Sequence, residues 1–245
     1  RPVMSQEREF VIDLPDPVIT GLRPKRSIAR HLASFIRSKP LGAAGGAVAI
    51  LLIVVAIFAN QIRTQDHDIP DHTRLYAPPS SDMLLGGDEF GRDVFSRIIM
   101  GSRISLKVGL ISAFVGSLAG LLVGVSSAYF GGMIDLIVQR LIDGMIAFPY
   151  LVLAIVIVAA LGNSINNVII ALSILFVPST ARIIRSQALS IKEMDYVLAA
   201  RAIGAGAPRI ILRHIIPNTF AILIVMITLQ LGVAIIAEAS LSFLG

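Results

Sequence analysis

The chain of 245 residues is 55% hydrophobic and 15% charged, whereas soluble domains usually carry about 25% charged residues. Its mean hydropathy is +0.81, so too little polar surface is available to cover a water-soluble globule. The chain contains no Cys, which excludes a disulfide framework and any Cys-based metal site. A net charge of +5 suggests a nucleic-acid partner, but the basic residues flank apolar runs and so fit a membrane protein better.

The N-terminal part of the chain is polar and ends in a basic stretch, Arg23 to Lys39, that contains no acidic residue. Such a stretch before an apolar run is typical of the cytoplasmic side, so residues 1–40 are predicted to form a cytoplasmic segment. Residues 41–61 carry no charge and are long enough to cross a bilayer, which takes about 20 residues. The transmembrane domain is predicted to cover residues 41–245.

A long polar segment, residues 62–103, separates the first two predicted spans and carries seven acidic and five basic residues. Three prolines disfavour a helix in its first half, while residues 90–103 are compatible with a surface helix. Residues 104–129 form the second predicted span. Small residues recur in it every four positions, so a helix of this chain or of a partner subunit can approach closely. These residues are Ser112, Gly116, Gly120 and Gly124.

The longest uncharged run covers 38 residues, 144–181. At 1.5 Å per residue it would make about 57 Å of helix, which is too long for one crossing. The sequence Leu-Gly-Asn-Ser at 161–164 is a natural turn, so two spans joined by a hairpin are predicted. A fifth span is predicted at residues 218–237, after a polar segment, 182–217, with six basic and two acidic residues.

Counting these crossings from a cytoplasmic N-terminus places both basic segments on the cytoplasmic side. The net-acidic segment 62–103 then becomes an extracytoplasmic loop, and residues 182–217 become a cytoplasmic loop. Within that second loop, Met194 to Ala205 is rich in Ala and predicts a short helix, which glycines end. By its residues alone, this helix suits either a groove on a soluble partner or the lipid surface.

Several motifs follow one another between residues 83 and 245. They are Leu85 to Arg97, Gly101 to Leu106, Ala128 to Gly132, Ala147-Phe148-Pro149, Tyr196 to Gly204, Arg213 to Asn218, and Glu238 to Gly245. Together they resemble the permease subunits of ATP-binding cassette (ABC) importers of the dipeptide, oligopeptide and nickel class, in particular the C-type subunit. The resemblance implies an all-α integral membrane protein of the MetI-like permease fold. Five spans are expected here, with a sixth missing at the C-terminus.

The resemblance also implies that residues 182–217 contain the EAA loop, which couples a permease to its ATPase. Leu198 stands where the family pattern has Glu, and His214 and Ile216 stand where it has Ile and Leu. The expected ATPase-coupling residues are Met194, Asp195, Tyr196, Leu198, Ala199, Ala200, Arg201, Ile203 and Gly204. A bulky residue at Ala200 is expected to clash with the ATPase groove.

The implied assembly contains a second homologous permease, two ATPase subunits or domains, and an extracytoplasmic substrate-binding protein, in the bacterial cytoplasmic membrane. The sequence has no P-loop and no catalytic constellation, so ATP and Mg²⁺ are expected on the ATPase partners. No metal or cofactor site is expected in this chain, although metal-capable side chains occur between Asp66 and His72. The expected substrate is a di- or oligopeptide. Nickel or another small solute is the alternative, and a secondary transporter or a membrane scaffold is disfavoured.

Overall fold

A computed structural model describes residues 34–66 and 68–244. Most of the predicted segment 1–40, together with His67 and Gly245, therefore lies outside the described residues. By compactness the chain divides into a unit of residues 1–50 and a unit of residues 51–245. In the first unit, residues 34–38 form a helical turn in which the Lys39 N–H donates to the Phe35 carbonyl.

Helix α1, Pro40–Ile57, begins in the first unit and carries no charged residue. Its 18 residues span about 27 Å, close to the thickness of the hydrocarbon core. Ala56 is its one buried residue.

The larger unit is helical, and a single bridge between Gly87 and Asp93 is the one β-type pairing among the described residues. Its elements are α2 (Ala59–Ile62), a 3₁₀ turn (His72–Arg74), α3 (Val94–Phe130), α4 (Gly132–Ile146), α5 (Tyr150–Leu161), α6 (Ile165–Lys192), α7 (Asp195–Ala202), α8 (Ala207–Ile210), a π-helical stretch (Ile211–Ile215) and α9 (Ile216–Leu244).

Three long helices, α3, α6 and α9, pack on one another, and α5 packs on α6. Their buried side chains form two clusters. The coupling-side cluster lies near α7 and contains Leu121, Val125, Ala128, Ile184, Ala188, Ile191, Val197, Ile210, Ile215 and Leu223. The hairpin-side cluster lies near the turn between α5 and α6 and contains Val108, Ala154, Leu172, Phe176, Ala234, Ala237 and Leu241.

The surface of the larger unit is apolar and its interior is partly polar, the reverse of a soluble protein. Exposed side chains on α3 include Phe114 and Leu122, whereas Ser117, Thr180 and Gln230 are buried between helices. This distribution suits helices surrounded by lipid, where polar groups must find partners inside the protein.

Four helical segments are long and apolar enough to cross a membrane: α1, α3, α6, and the continuous run from α8 through α9. Helices α4 and α5 meet at 93° across a short break. A fifth crossing is reached only if the two helices together count as one broken span. Helix α5 alone covers only about 18 Å, well short of the hydrocarbon core. The prediction of an all-α membrane fold is confirmed, and five spans are reached if this bent pair counts as one.

Two helices extend beyond the spans that the sequence predicts. The predicted second span begins at residue 104, and the helix that contains it, α3, starts earlier, at Val94, because the Asp93 carboxylate caps the helix and accepts from the Ser96 N–H at 3.0 Å. The predicted surface helix at 90–103 is therefore the start of the same helix. The predicted fourth span ended at Arg182 or Arg185, whereas α6 continues to Lys192.

The structure also differs from the prediction just before the long uncharged run, 144–181, and near its start. The turn at 161–164 lies where the sequence predicts it, but in the predicted short connection, 131–143, residues 132–143 belong to helix α4. The chain then breaks at Ala147 to Pro149, where Pro149 precedes the first turn of α5. Pro149 disfavours a helical conformation for the preceding Phe148, which accounts for the break at this point.

Candidate functional site

Helix α7 connects α6 to the segment leading into α9, and one side chain anchors it to the rest of the protein. Val197 is completely buried and belongs to the coupling-side cluster, with Ile191 of α6 and Ile210 of α8. A tight turn precedes α7, in which the Met194 N–H donates to the Ile191 carbonyl at 3.1 Å. The helix is therefore held against the ends of the long helices by its inner face.

The C-terminus of α7 is a Schellman motif. The Gly204 N–H donates to the Arg201 carbonyl at 3.0 Å, and the Ala205 N–H donates to the Ala200 carbonyl at 3.0 Å. Gly204 has φ +85°, in the left-handed region that favours glycine. The glycine of the motif is thus required by the turn that ends the helix, and Ala200 contributes to the same turn.

The outer face of α7 is exposed and largely apolar. Tyr196, Ala199 and Ile203 lie on this face at spacings of three and four residues. Ile203 is 87% exposed and Tyr196 is 43% exposed, so the large apolar side chains of this face are open to a partner or to lipid. Leu198, at the family's Glu position, is 40% exposed.

The second part of the EAA-like pattern, Arg213 to Asn218, lies next to α7 in the fold. The rings of Tyr196 and His214 have centroids 5.9 Å apart at 49°. His214 lies in the π-helical stretch, where the Ile216 N–H donates to the Ile211 carbonyl five residues back. The wider turn lies just before Pro217, which has no N–H and crowds the preceding helical turn. Tyr196 and His214 are adjacent in the fold although 18 positions separate them in the sequence.

The small residues of α3 face α6 of the same chain. A Cβ built on Gly116 would lie 2.6 Å from the Ser173 carbonyl oxygen, and one on Gly124 would lie 2.5 Å from that of Ala181. At Gly120 the nearest atom is the Cβ of Thr180, at 2.6 Å. The Ser112 hydroxyl donates to the Ile169 carbonyl at 3.3 Å. The sequence left open whether these small residues pack on a helix of this chain or on a partner subunit. In the structure they pack on α6 of the same chain.

A buried amide, that of Gln230, joins the three long helices, and no pattern in the sequence singles it out. Gln230 of α9 accepts from the Ser117 hydroxyl at 2.6 Å through its side-chain oxygen. Its side-chain nitrogen donates to the Thr180 hydroxyl at 2.7 Å. Pro178 lies within the same stretch of α6. Hydrogen bonds of this kind stabilise helix contacts in lipid, where no water competes for the groups.

Ion pairs connect α4 to the half of α6 nearer α7. The Arg185 guanidinium donates to both carboxylate oxygens of Asp135, through Nε to Oδ1 at 2.6 Å, and the Ser127 hydroxyl also donates to Asp135. Arg182 donates to Asp143 at 2.7 Å. These pairs explain why α6 extends beyond its uncharged part.

The predicted extracytoplasmic loop is organised around two carboxylates. The Asp93 carboxylate accepts from the hydroxyls of Thr64 and Ser96, both at 2.6 Å. Asp88 accepts from the N–H groups of Phe90 and Arg92 at 2.8 and 2.9 Å. Burial raises the pKa of Asp88, but these bonds and the guanidiniums of Arg92 and Arg97 lower it overall to about 2. The loop is thus held by charged hydrogen bonds, and Asp88 stays ionised at neutral pH.

The described residues of the stretch between Asp66 and His72 do not form a metal site. In the ranges 34–66 and 68–244, no group of three or more His, Cys, Asp or Glu side chains is placed to hold a metal ion. His67 lies outside those ranges. The Asp71 carboxylate accepts from the N–H and hydroxyl of Thr73, as in a turn.

The fold and these motifs define an integral membrane subunit of a transport system. Residues 116–245 match the family of binding-protein-dependent transport system inner membrane components. The chain belongs to this family. It is the family of ABC importer permeases with the MetI-like fold, which the sequence motifs resemble. The chain is therefore a multi-pass inner-membrane protein.

Curated relatives of the chain are themselves permease proteins. The glutathione transport system permease protein GsiD of Shigella flexneri serotype 5b is 48% identical over 197 residues, which cover 80% of this chain. The protein of the same name from Shigella sonnei is 45% identical over 197 residues. That from Pectobacterium atrosepticum is 40% identical over 230 residues, covering 94% of this chain and 76% of that protein. The chain spans 65% of the length of the first two relatives.

Proposed function

We propose that the chain is the translocating permease subunit of an ATP-driven importer and that it moves small peptide-type solutes by alternating access. Family membership and the permease names of the relatives support this function. The lack of charge in most span interiors disfavours coupling to protons or ions, which usually needs ionisable groups within the membrane.

The observation that carries the proposal is the geometry of α7. The helix is fixed to the long helices through Val197, while Tyr196, Ala199 and Ile203 present an exposed apolar face. A helix held on one side and apolar on the other can fill a groove of a soluble protein. We infer that this face docks on an ATPase subunit and that motion of the ATPase pair reaches α3, α6 and α9 through the coupling-side cluster.

The proposed topology places the N-terminal segment and residues 182–217 in the cytoplasm and the loop 62–103 outside. Charge supports this orientation, because residues 182–217 are basic and residues 62–103 are net acidic. In this arrangement α7 faces the compartment that contains ATP. The turn between α5 and α6 and the end of α9 then lie on the outer side.

The proposed assembly contains a second homologous permease, two ATPase subunits that hold ATP and Mg²⁺, and an outer substrate-binding protein that delivers cargo. Such a machine switches between two states that bind ATP differently. Glutathione, named in the relatives, is a small peptide-type solute, and this supports peptides over nickel as cargo.

Docking is tested by adding bulk to the outer face of α7. Ala199→Trp is expected to weaken ATPase association, since overpacking costs about 1–3 kcal/mol, or roughly 5- to 150-fold in affinity. Ala199 is a better site than the half-buried Ala200, whose carbonyl belongs to the Schellman motif. Co-purification of the ATPase with the membrane-inserted variant is the measurement.

Ser190→Trp is the matched control, because it adds the same bulk at an exposed position on α6 instead of α7. The control is expected to retain ATPase at wild-type levels. Wild-type co-purification and transport in Ala199→Trp would contradict docking through α7 and favour a helix lying on the lipid surface.

A further inference from the structure

A cavity of about 520 Å³ lies where the start of α3, the turn between α5 and α6, and the end of α9 meet. Its volume is in the range of sites that bind small molecules. Apolar side chains form most of its wall, among them Ile104, Val108, Ile155 and Leu241. In the proposed topology these elements all lie at the outer end of the spans, where cargo enters.

Of the described residues that line this cavity, Glu238 is the one that is acidic. It is half-buried on α9, and its Oε2 accepts from the Ser105 hydroxyl of α3 at 2.8 Å. Among the described residues, no Lys, Arg or His side chain forms an ion pair with Glu238. Arg103 and Lys107 lie close to Ser105 in the sequence. Each is two positions from Ser105 along α3, so each side chain projects from a different face of the helix than Ser105 does.

A carboxylate that faces a mostly apolar cavity at the end of a membrane span is stabilised by a partner that compensates its charge. One serine hydroxyl supplies a single hydrogen bond and no positive charge. Among the described residues no hydrogen bond to the other oxygen of Glu238 occurs, so that oxygen is available to a ligand in the cavity. A metal ion is a poor partner, because no group of ligands accompanies Glu238 among the described side chains. An organic ammonium group needs only one carboxylate and suits apolar walls that hold the remainder of a molecule.

We propose that Glu238 receives the ammonium group of the transported solute as it enters the outer cavity. The proposal rests on the proposed function and adds a recognition group to it: a free amino terminus, as small peptides carry. Ser105 orients the carboxylate, and the apolar wall contacts side chains of the solute without selecting among them.

The test uses the complete transporter in proteoliposomes, with internal ATP and saturating binding protein loaded with alanyl-alanine or N-acetyl-alanyl-alanine. Glu238→Gln keeps the shape and the bond from Ser105 but removes the charge. It is expected to lower the maximal uptake rate of the free dipeptide at least tenfold and to leave that of the acetylated peptide unchanged. Glu238→Asp, which keeps the charge, is expected to stay within threefold of wild type.

Glu89→Gln is the matched control, because Glu89 is an exposed carboxylate on the same proposed side of the membrane, and uptake is expected to be unchanged. Wild-type uptake in Glu238→Gln, or an equal loss for both peptides, would overturn the proposal, as would an Asp variant as poor as the Gln variant. If the wild type itself shows no ATP-dependent uptake, the proposed function fails and this proposal fails with it.

Discussion

At the scale of single residues, the end of α7 depends on a backbone conformation that glycine adopts without strain. Gly204 has φ +85°, and nothing lies within 4 Å of the position a Cβ would occupy. A side chain there would meet open space, so any harm from substitution comes from the backbone. This separates the role of Gly204 from that of the glycines on α3, which are limited by space.

We expect Gly204→Val to destabilise the turn after α7 by about 1–2 kcal/mol, because a left-handed conformation is costly for a residue with a Cβ. Gly204→Asn should be tolerated better, since Asn adopts this conformation more readily. ATPase activity stimulated by loaded binding protein, compared with the uptake rate, is the measurement. Gly206→Ala is the control, since Gly206 has φ −70°. Coupled transport at wild-type efficiency in Gly204→Val would contradict this role.

Asp88 supports a prediction about pH. Its pKa falls on folding from an ordinary 3.8 to about 2, so its charged form stabilises the folded loop above pH 3.8. That contribution is lost as the pH falls towards 2, and between pH 5 and 8 it does not vary. We expect Asp88→Asn to raise hydrogen exchange at the Phe90 and Arg92 amides at neutral pH. Asp82→Asn, at an exposed position, should not, and equal exchange in both variants would contradict the assignment.

At the scale of elements, the contact between α3 and α6 is set by small residues rather than by large apolar side chains. Backbone atoms of α6 approach Gly116 and Gly124 closely enough to leave no room for a methyl group. In lipid, where apolar burial between helices gains little, such close approach is a main source of helix association. The buried Gln230 adds directional bonds to the same three-helix contact.

We expect Gly120→Ala to lower the thermal stability of the detergent-solubilised complex, because its methyl group would lie 2.6 Å from Thr180 Cβ. Gly120→Leu should lower it further and reduce complex yield. Gly101→Ala on the same helix is the control, since nothing lies within 4 Å of that position and Ala favours helix. A Gly120→Leu complex with wild-type yield and melting temperature would contradict the packing described.

At the scale of the whole molecule, the sequence predicted the spans by their lack of charge and the turn at 161–164 by its residues. It did not predict the break at Pro149, because the residues on both sides are uniformly apolar and charge counting continues through it. The Asp93 cap that starts α3 at Val94 is also visible in the sequence. Charge marks the part of a helix that can lie in lipid and not the end of the helix, so α3 and α6 both extend past the predicted spans.

The candidate site was predictable in part. The family spacing located α7 and its final glycine, but which face is exposed depends on the burial of Val197, which needs the packed structure. The contact of Tyr196 with His214 and the pairing of Ser105 with Glu238 join residues far apart in sequence. Such pairs carry no local pattern, so no periodicity or spacing indicates them.

The central claim is that this chain moves its cargo with energy from ATP bound by a partner. The most direct measurement is peptide uptake by proteoliposomes that contain the full-length protein, its partner permease, the ATPases and the binding protein. We predict uptake that requires internal ATP and continues after the proton gradient is collapsed with an uncoupler. Uptake that a proton gradient drives without ATP would contradict the account and identify a secondary transporter.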